Sequence, residues 1–185
     1  MRIALPVLLA LFLALPAGAG TIAGITLPDK TEVNGKSLVL NGMGLRKEFF
    51  IKVYVGSLYL PQKEKSAAKV LGADVPRRVV MHFIYDVSKD QMCKAWHEGL
   101  EANTPNASAE VKKNFNTLCS WMDGVGKGQE LVLTYVPGEG THVELGGKAK
   151  GTLPGKPTAD AILSNWIGQD PAPGEDFKKA VLGQG

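Results

Sequence analysis

Apolar and polar positions alternate most persistently between residues 45 and 60 of this chain. Phe49, Phe50, Ile51, Val53, Tyr54, Val55, Leu58 and Tyr59 crowd that run, and β-branched and aromatic residues fit a pleated, partly buried surface. The pattern predicts one long strand over 45–60. Gly42 and Gly44 loosen the chain ahead of it, and Pro61 stops it. Strict alternation puts Arg46 and Tyr54 on one face. Along a straight strand, at about 3.3 Å per residue, they stand roughly 26 Å apart. They meet only if the strand bends or bulges between them. An arginine on so apolar a strand calls for an anion or a rich hydrogen-bond environment. A strand-start salt bridge to Glu48 is the plainer alternative for Arg46, and a core aromatic with a backbone partner is the plainer one for Tyr54.

The flanking segments carry shorter signals. Residues 21–41 read as a hairpin that turns at Asn34-Gly35, and the weak alternation of 37–41 suits a strand near an edge. Residues 63–71 have the spacing of a short amphipathic helix that stops at Gly72. The run 79–85 is apolar on both parities, as in a central strand covered on both faces. Asp86 or Ser88 caps a helix over 89–103, striped by Met92, Cys93, Trp96, Gly99 and Leu100. A second helix over 107–122 carries Val111, Phe115, Leu118, Cys119 and Met122 at helical spacing. Strands follow at 130–136, 141–145 and 148–153. Thr158 then caps a helix over 159–167, and a last helix covers 174–182. This order describes an α+β fold with a mainly antiparallel sheet and a layer of helices on one face.

The first residues change the picture of where the protein works. Arg2, the apolar run from Ile3 to Leu15 and the small residues Ala17-Gly18-Ala19 have the form of a secretory leader. The run is too short for a spanning helix, which needs about 20 residues. Residues 1–19 are therefore expected to be a cleaved signal, and 20–185 a single domain that is periplasmic or secreted. The 185-residue chain is 44% hydrophobic, with 21 Lys and Arg against 18 Asp and Glu, a formal charge of +3. That composition supports a full core. It lacks the basic block with interleaved aromatics that nucleic acid requires, so no nucleic-acid partner is expected.

Candidate chemistry is sparse. Cys93 and Cys119 lie equidistant from the turn at 104–106 between the two central helices. Antiparallel helices place such positions side by side, and in an oxidising compartment a disulfide is expected. His82, His97 and His142 show neither HxH nor HExxH spacing, so no metal is expected. His82 reads as a hydrogen-bonded structural residue of its strand. No G-x-S-x-G and no G-x-G-x-x-G between a strand and a helix is present, so neither a serine nucleophile nor a nucleotide cofactor is expected.

The stretch that enters through Gly42-x-Gly44-x-Arg46 and leaves through Lys52-Val53-Tyr54 and Leu58-Tyr59 resembles the chalcone isomerase-like family. It looks closest to the bacterial exported branch, and is related to the plant fatty-acid-binding members of the fold. The segment from Phe83 to Trp96 and the last helices look similar as well. The resemblance implies an open-faced sandwich with a ligand cleft between sheet and helices. It implies that Arg46 and Tyr54 hold the acidic head of a small apolar ligand such as a fatty acid. The true isomerases of the family use a Tyr and an Asn on the helix after the central strand, where this chain has Gln91 and Glu98. A carboxylate there opposes a phenolate nucleophile, so a non-catalytic binding protein is expected. The alternative is an isomerase of the intramolecular lyase type acting on a conjugated, chalcone-like substrate.

Overall fold

The computed structural model describes residues 18–185. Strands β1 (Gly18–Ile22) and β2 (Ile25–Pro28) pair as a small hairpin of their own. Seven further strands form one antiparallel sheet in chain order. They are β3 (Lys30–Val33), β4 (Lys36–Glu48), β5 (Ile51–Leu60), β6 (Arg77–Phe83), β7 (Glu130–Val136), β8 (Gly140–Leu145) and β9 (Lys148–Leu153). Helix α1 (Ala67–Gly72) joins β5 to β6, and α2 (Lys89–Asn103) and α3 (Ala109–Trp121) join β6 to β7. Helices α4 (Lys156–Ile167) and α5 (Glu175–Val181) follow β9. The expected α+β architecture is present. The helices cover one face over a core that includes Leu58, Phe83, Phe115, Leu131 and Ile167. The β1–β2 hairpin closes a smaller core on the opposite face, with Leu27 against Val55, Tyr59 and Val80. Of the leader expected over 1–19, only Gly18 and Ala19 fall within the described residues; they open β1.

Local chemistry accounts for most boundaries. Asn34 and Gly35 both take positive φ and turn β3 into β4, as the Asn-Gly signal requires. Ser88 caps α2 in a full capping box with Gln91. His82 is held by Glu130 directly across the β6–β7 pair, its Nδ1 3.0 Å from the carboxylate. Residues 37–41 belong to β4, which lies next to the edge strand β3, as expected of a strand near an edge. Two expectations fail. The first helix starts only after its cap Ser66. Thr158 does not cap α4, which starts at Lys156 behind Gly155 with a proline in its first turn. Thr158 is buried, and its hydroxyl accepts from Asn114 Nδ2 at 2.8 Å.

The largest correction concerns the long strand. The chain reverses at Phe49-Phe50, so residues 45–60 form two paired strands. Alternation carries straight through the turn because its residues are aromatic, and Phe49 takes φ 53, a conformation that favours glycine. Gly42 and Gly44 likewise do something other than loosen the chain. Together with Gly56, which pairs with Gly44, they leave a strip of sheet bare of side chains on the helical face. Helix α5 lies in it. A Cβ at 42 would stand 2.1 Å from the Ala180 carbonyl oxygen, and one at 44 would stand 2.7 Å from the Phe177 ring. One at 56 would stand 2.5 Å from Phe177 and 2.8 Å from Trp166. Asn41 fastens the end of α5, donating to the Val181 carbonyl at 2.8 Å.

The expected Cys93–Cys119 disulfide is absent, and both thiols are free. The residues face each other, but Cys93 Sγ donates to the Cys119 carbonyl oxygen at 3.5 Å, and Cys119 Sγ lies 3.6 Å from His97 Nε2. Burial, with Cys93 alongside, pushes the Cys119 thiol up to about 12. Helix α2 packs more closely on α4 than on its hairpin partner α3. Gly99 allows that approach, since a Cβ there would stand 2.6 Å from Asn165 Cγ.

Gly56→Ala overpacks the strip and is expected to destabilise the fold by about 1–3 kcal/mol. The measurement is a lowered urea midpoint at unchanged m-value. Gly72→Ala, whose Cβ meets nothing within 4 Å, serves as the control and leaves the midpoint in place or raises it.

Candidate ligand-binding site

The reversal at Phe49-Phe50 decides the geometry of the site. Arg46 on β4 and Tyr54 on β5 are direct cross-strand partners. Such neighbours have Cβ atoms about 5 Å apart, where a straight strand would have held them far apart. The register then slips, with Lys47 opposite Lys52, so Val53 is the one extra residue on β5. That irregularity puts Ile51 and Val53 on the same lining as Tyr54, against the alternation of a regular strand.

Above this hairpin end lies a cavity of about 420 Å³ between the sheet, α2 and the α4–α5 connection. Met81 and Phe83 form its floor with Tyr54, Met92 and Trp96 come from α2, and Trp166 comes from α4. The size falls in the usual range for small-molecule pockets, and the lining is mainly apolar. Tyr54 is locked in place. Its ring stacks on Trp166 with centroids 6.0 Å apart, and meets Phe83 at 5.5 Å and the edge of Phe177 at 5.9 Å. Burial pushes its phenol above the ordinary tyrosine range, against smaller opposing effects of the Arg46 charge and Trp166. Tyr54 is therefore a protonated donor at any physiological pH, not a base.

Arg46 lies at the cavity rim, with its side chain 26% exposed and in an ion pair with Glu48. Arg46 thus has the salt bridge of the plainer reading, and it is also one of the residues that line the cavity. Gln91 and Glu98 stand on the helical wall, and Glu98 is 3.7 Å from Lys94. Two buried atoms of lining residues, Trp96 Nε1 and Asn165 Oδ1, have no hydrogen-bond partner among the described residues, a rarity in folded interiors. Sequence reasoning missed Trp96 and Trp166 as lining residues. Trp96 was visible on the α2 stripe with Met92 at i−4, but a stripe says only that a face is apolar. Trp166 carried no signal apart from its size. Among the described residues no group of three or more His, Cys, Asp or Glu is placed to hold a metal ion. No described helix is long and apolar enough to cross a membrane.

No curated protein matches the sequence. Among solved structures, a fatty-acid binding protein of Arabidopsis thaliana superposes with a TM-score of 0.65 at 16% identity, covering 86% of this chain and 92% of that one. The likeness at that identity is one of fold. The sequence profile described as chalcone isomerase-like matches residues 19–183. The chain belongs to the chalcone isomerase-like family.

Proposed function

We propose that this protein is an exported, non-catalytic carrier of a small apolar molecule with an acidic head, with a fatty acid as the leading candidate. Residues 20–185 form its one domain, released to the periplasm or outside the cell by cleavage of the leader at 1–19. The observation that carries the reading is the cross-strand pair of Arg46 and Tyr54 at one end of a mainly apolar cavity. Arg46 supplies the cation for the head group. Tyr54, held protonated by burial, supplies a neutral donor beside it. The apolar wall receives the tail. The similarity in fold to a fatty-acid binding protein supports the same reading. The isomerase alternative has less support. Glu98 lines the cavity where an anionic nucleophile would sit, and Tyr54 is poorly suited to giving up its proton.

Glu48 sets the strength of the site. It is ion-paired with Arg46, so an incoming carboxylate competes with an intramolecular one. Arg46→Ala is expected to weaken palmitate binding about ten- to a hundredfold and Tyr54→Phe about tenfold, the range for hydrogen bonds to a charged group. Isothermal titration with palmitate measures both; if neither substitution changes the affinity, the site is misassigned. Glu48→Gln is expected to tighten palmitate about fivefold, as befits loss of a partly exposed competing pair. It should leave the affinity for the corresponding fatty alcohol unchanged, and equal gains for acid and alcohol would rule out competition for Arg46.

A further inference from the structure

Three large hydrophobic side chains are exposed among the described residues: Phe49 at 90%, Phe50 at 91% and Tyr85 at 50%. All three sit at one end of the molecule. Phe49 and Phe50 form the β4–β5 turn, and their flanking residues Glu48 and Ile51 line the cavity, as does Tyr85. Resting the proposal on the lipid-carrier reading of that cavity, we propose that this end of the molecule docks on an anionic lipid bilayer. The two phenylalanines enter the interface, so that the cavity mouth opens against the lipid.

The argument starts from what the turn gives up. A two-residue hairpin turn prefers glycine, asparagine or aspartate where φ is positive. This one holds Phe49 at φ 53, a strained conformation for a bulky side chain. Strain of this kind is ordinarily offset by packing, yet both rings stand in water. Neither contributes to either hydrophobic core. A pair of phenylalanine rings at the end of a paired two-stranded hairpin suits the headgroup–acyl boundary of a membrane, where Trp, Phe and Leu of surface-bound elements insert above basic residues.

The charges beneath the rings select the kind of membrane. Lys47 and Lys52 are exposed and stand directly opposite each other across the hairpin, a pairing that repels in water. With Arg46 they make three cations within one turn of chain, against the single anion Glu48. Anionic headgroups relieve that repulsion, and each lysine near such a surface adds attraction that salt screens. A carrier of lipid needs its opening at the bilayer, and the turn leads straight into the lining.

Flotation with vesicles of equimolar phosphatidylglycerol and phosphatidylcholine tests this. The wild-type protein is expected to float with them, to float less as salt rises, and to float weakly with pure phosphatidylcholine. The double variant Phe49→Asn, Phe50→Ser keeps a residue that tolerates positive φ. It is expected to lose partitioning by about tenfold or more, the scale of withdrawing one large apolar side chain. Lys47→Gln and Lys52→Gln each cost about fivefold on the anionic vesicles only. Palmitate binding in solution stays at the wild-type level in the tip variants, whereas Tyr54→Phe weakens palmitate about tenfold and still floats like wild type. Weakened palmitate binding in that variant with flotation intact separates the pocket from the tip. The proposal is overturned if wild-type protein does not float, or if the tip variant floats as well as wild type. A concentration-dependent dimer abolished by the tip variant, without flotation, would reassign the turn to self-association and equally overturn it.

Discussion

The approach of Phe177 to bare backbone is the contact on which the rest of the structure depends. Helix α5 reaches the sheet only because Gly42, Gly44 and Gly56 present no side chain there. Glycine is otherwise a poor strand residue, since it brings no packing surface and loses the most entropy on folding. Here that deficit is offset by an aromatic side chain seated directly on the ladder. The seat propagates outward. The Phe177 ring meets Trp166 edge-on with centroids 4.9 Å apart, and both rings meet Tyr54. Tyr54 thus faces the cavity in one fixed pose. The glycines are structural in themselves and positional for the cavity, and a substitution among them reaches the cavity through three aromatic rings.

Much of the fold was legible, and the reasons are local. The α2 cap, the Asn-Gly turn and the three strands from 130 onward each rest on signals confined to a few residues. The differences have one physical source: at these positions tertiary contact, not residue type, decides the local structure. Glycines before a strand looked like loosening because their bareness has meaning only with Phe177 above it. Phe49-Phe50 looked like strand because aromatic residues almost never make a tight turn. Thr158 looked like a cap because its partner Asn114 lies 44 residues away in the chain. The cysteines were placed correctly as neighbours, yet adjacency does not make a bridge while α2 rests on α4 and each sulfur has another partner.

The site was half legible for a related reason. Arg46 and Tyr54 stood out by residue type and by resemblance, but on a single strand they pointed at nothing in common. The turn that the sequence concealed is what brings them together. The two readings of Arg46 share one physical ground. A guanidinium beside an apolar cavity needs an anion, because leaving it unpaired in poor solvent is costly. Glu48, two residues along, fills that need. Its own side chain is more exposed than that of Arg46, so the pair sits at the boundary between cavity and water.

The two ends of the β4–β5 hairpin therefore meet opposite physical demands. Its base is clamped: Asn41 holds α5, the glycine strip holds Phe177, and Tyr59 donates to the Pro28 carbonyl oxygen from the far face. Its tip has none of these supports and carries its apolar residues outward. Cavity and tip share the residues between, since Arg46, Glu48 and Ile51 line the first and lead into the second. The clamped base fixes where the cavity lies between sheet and helices, and the exposed tip stands beside it because the same two strands build both.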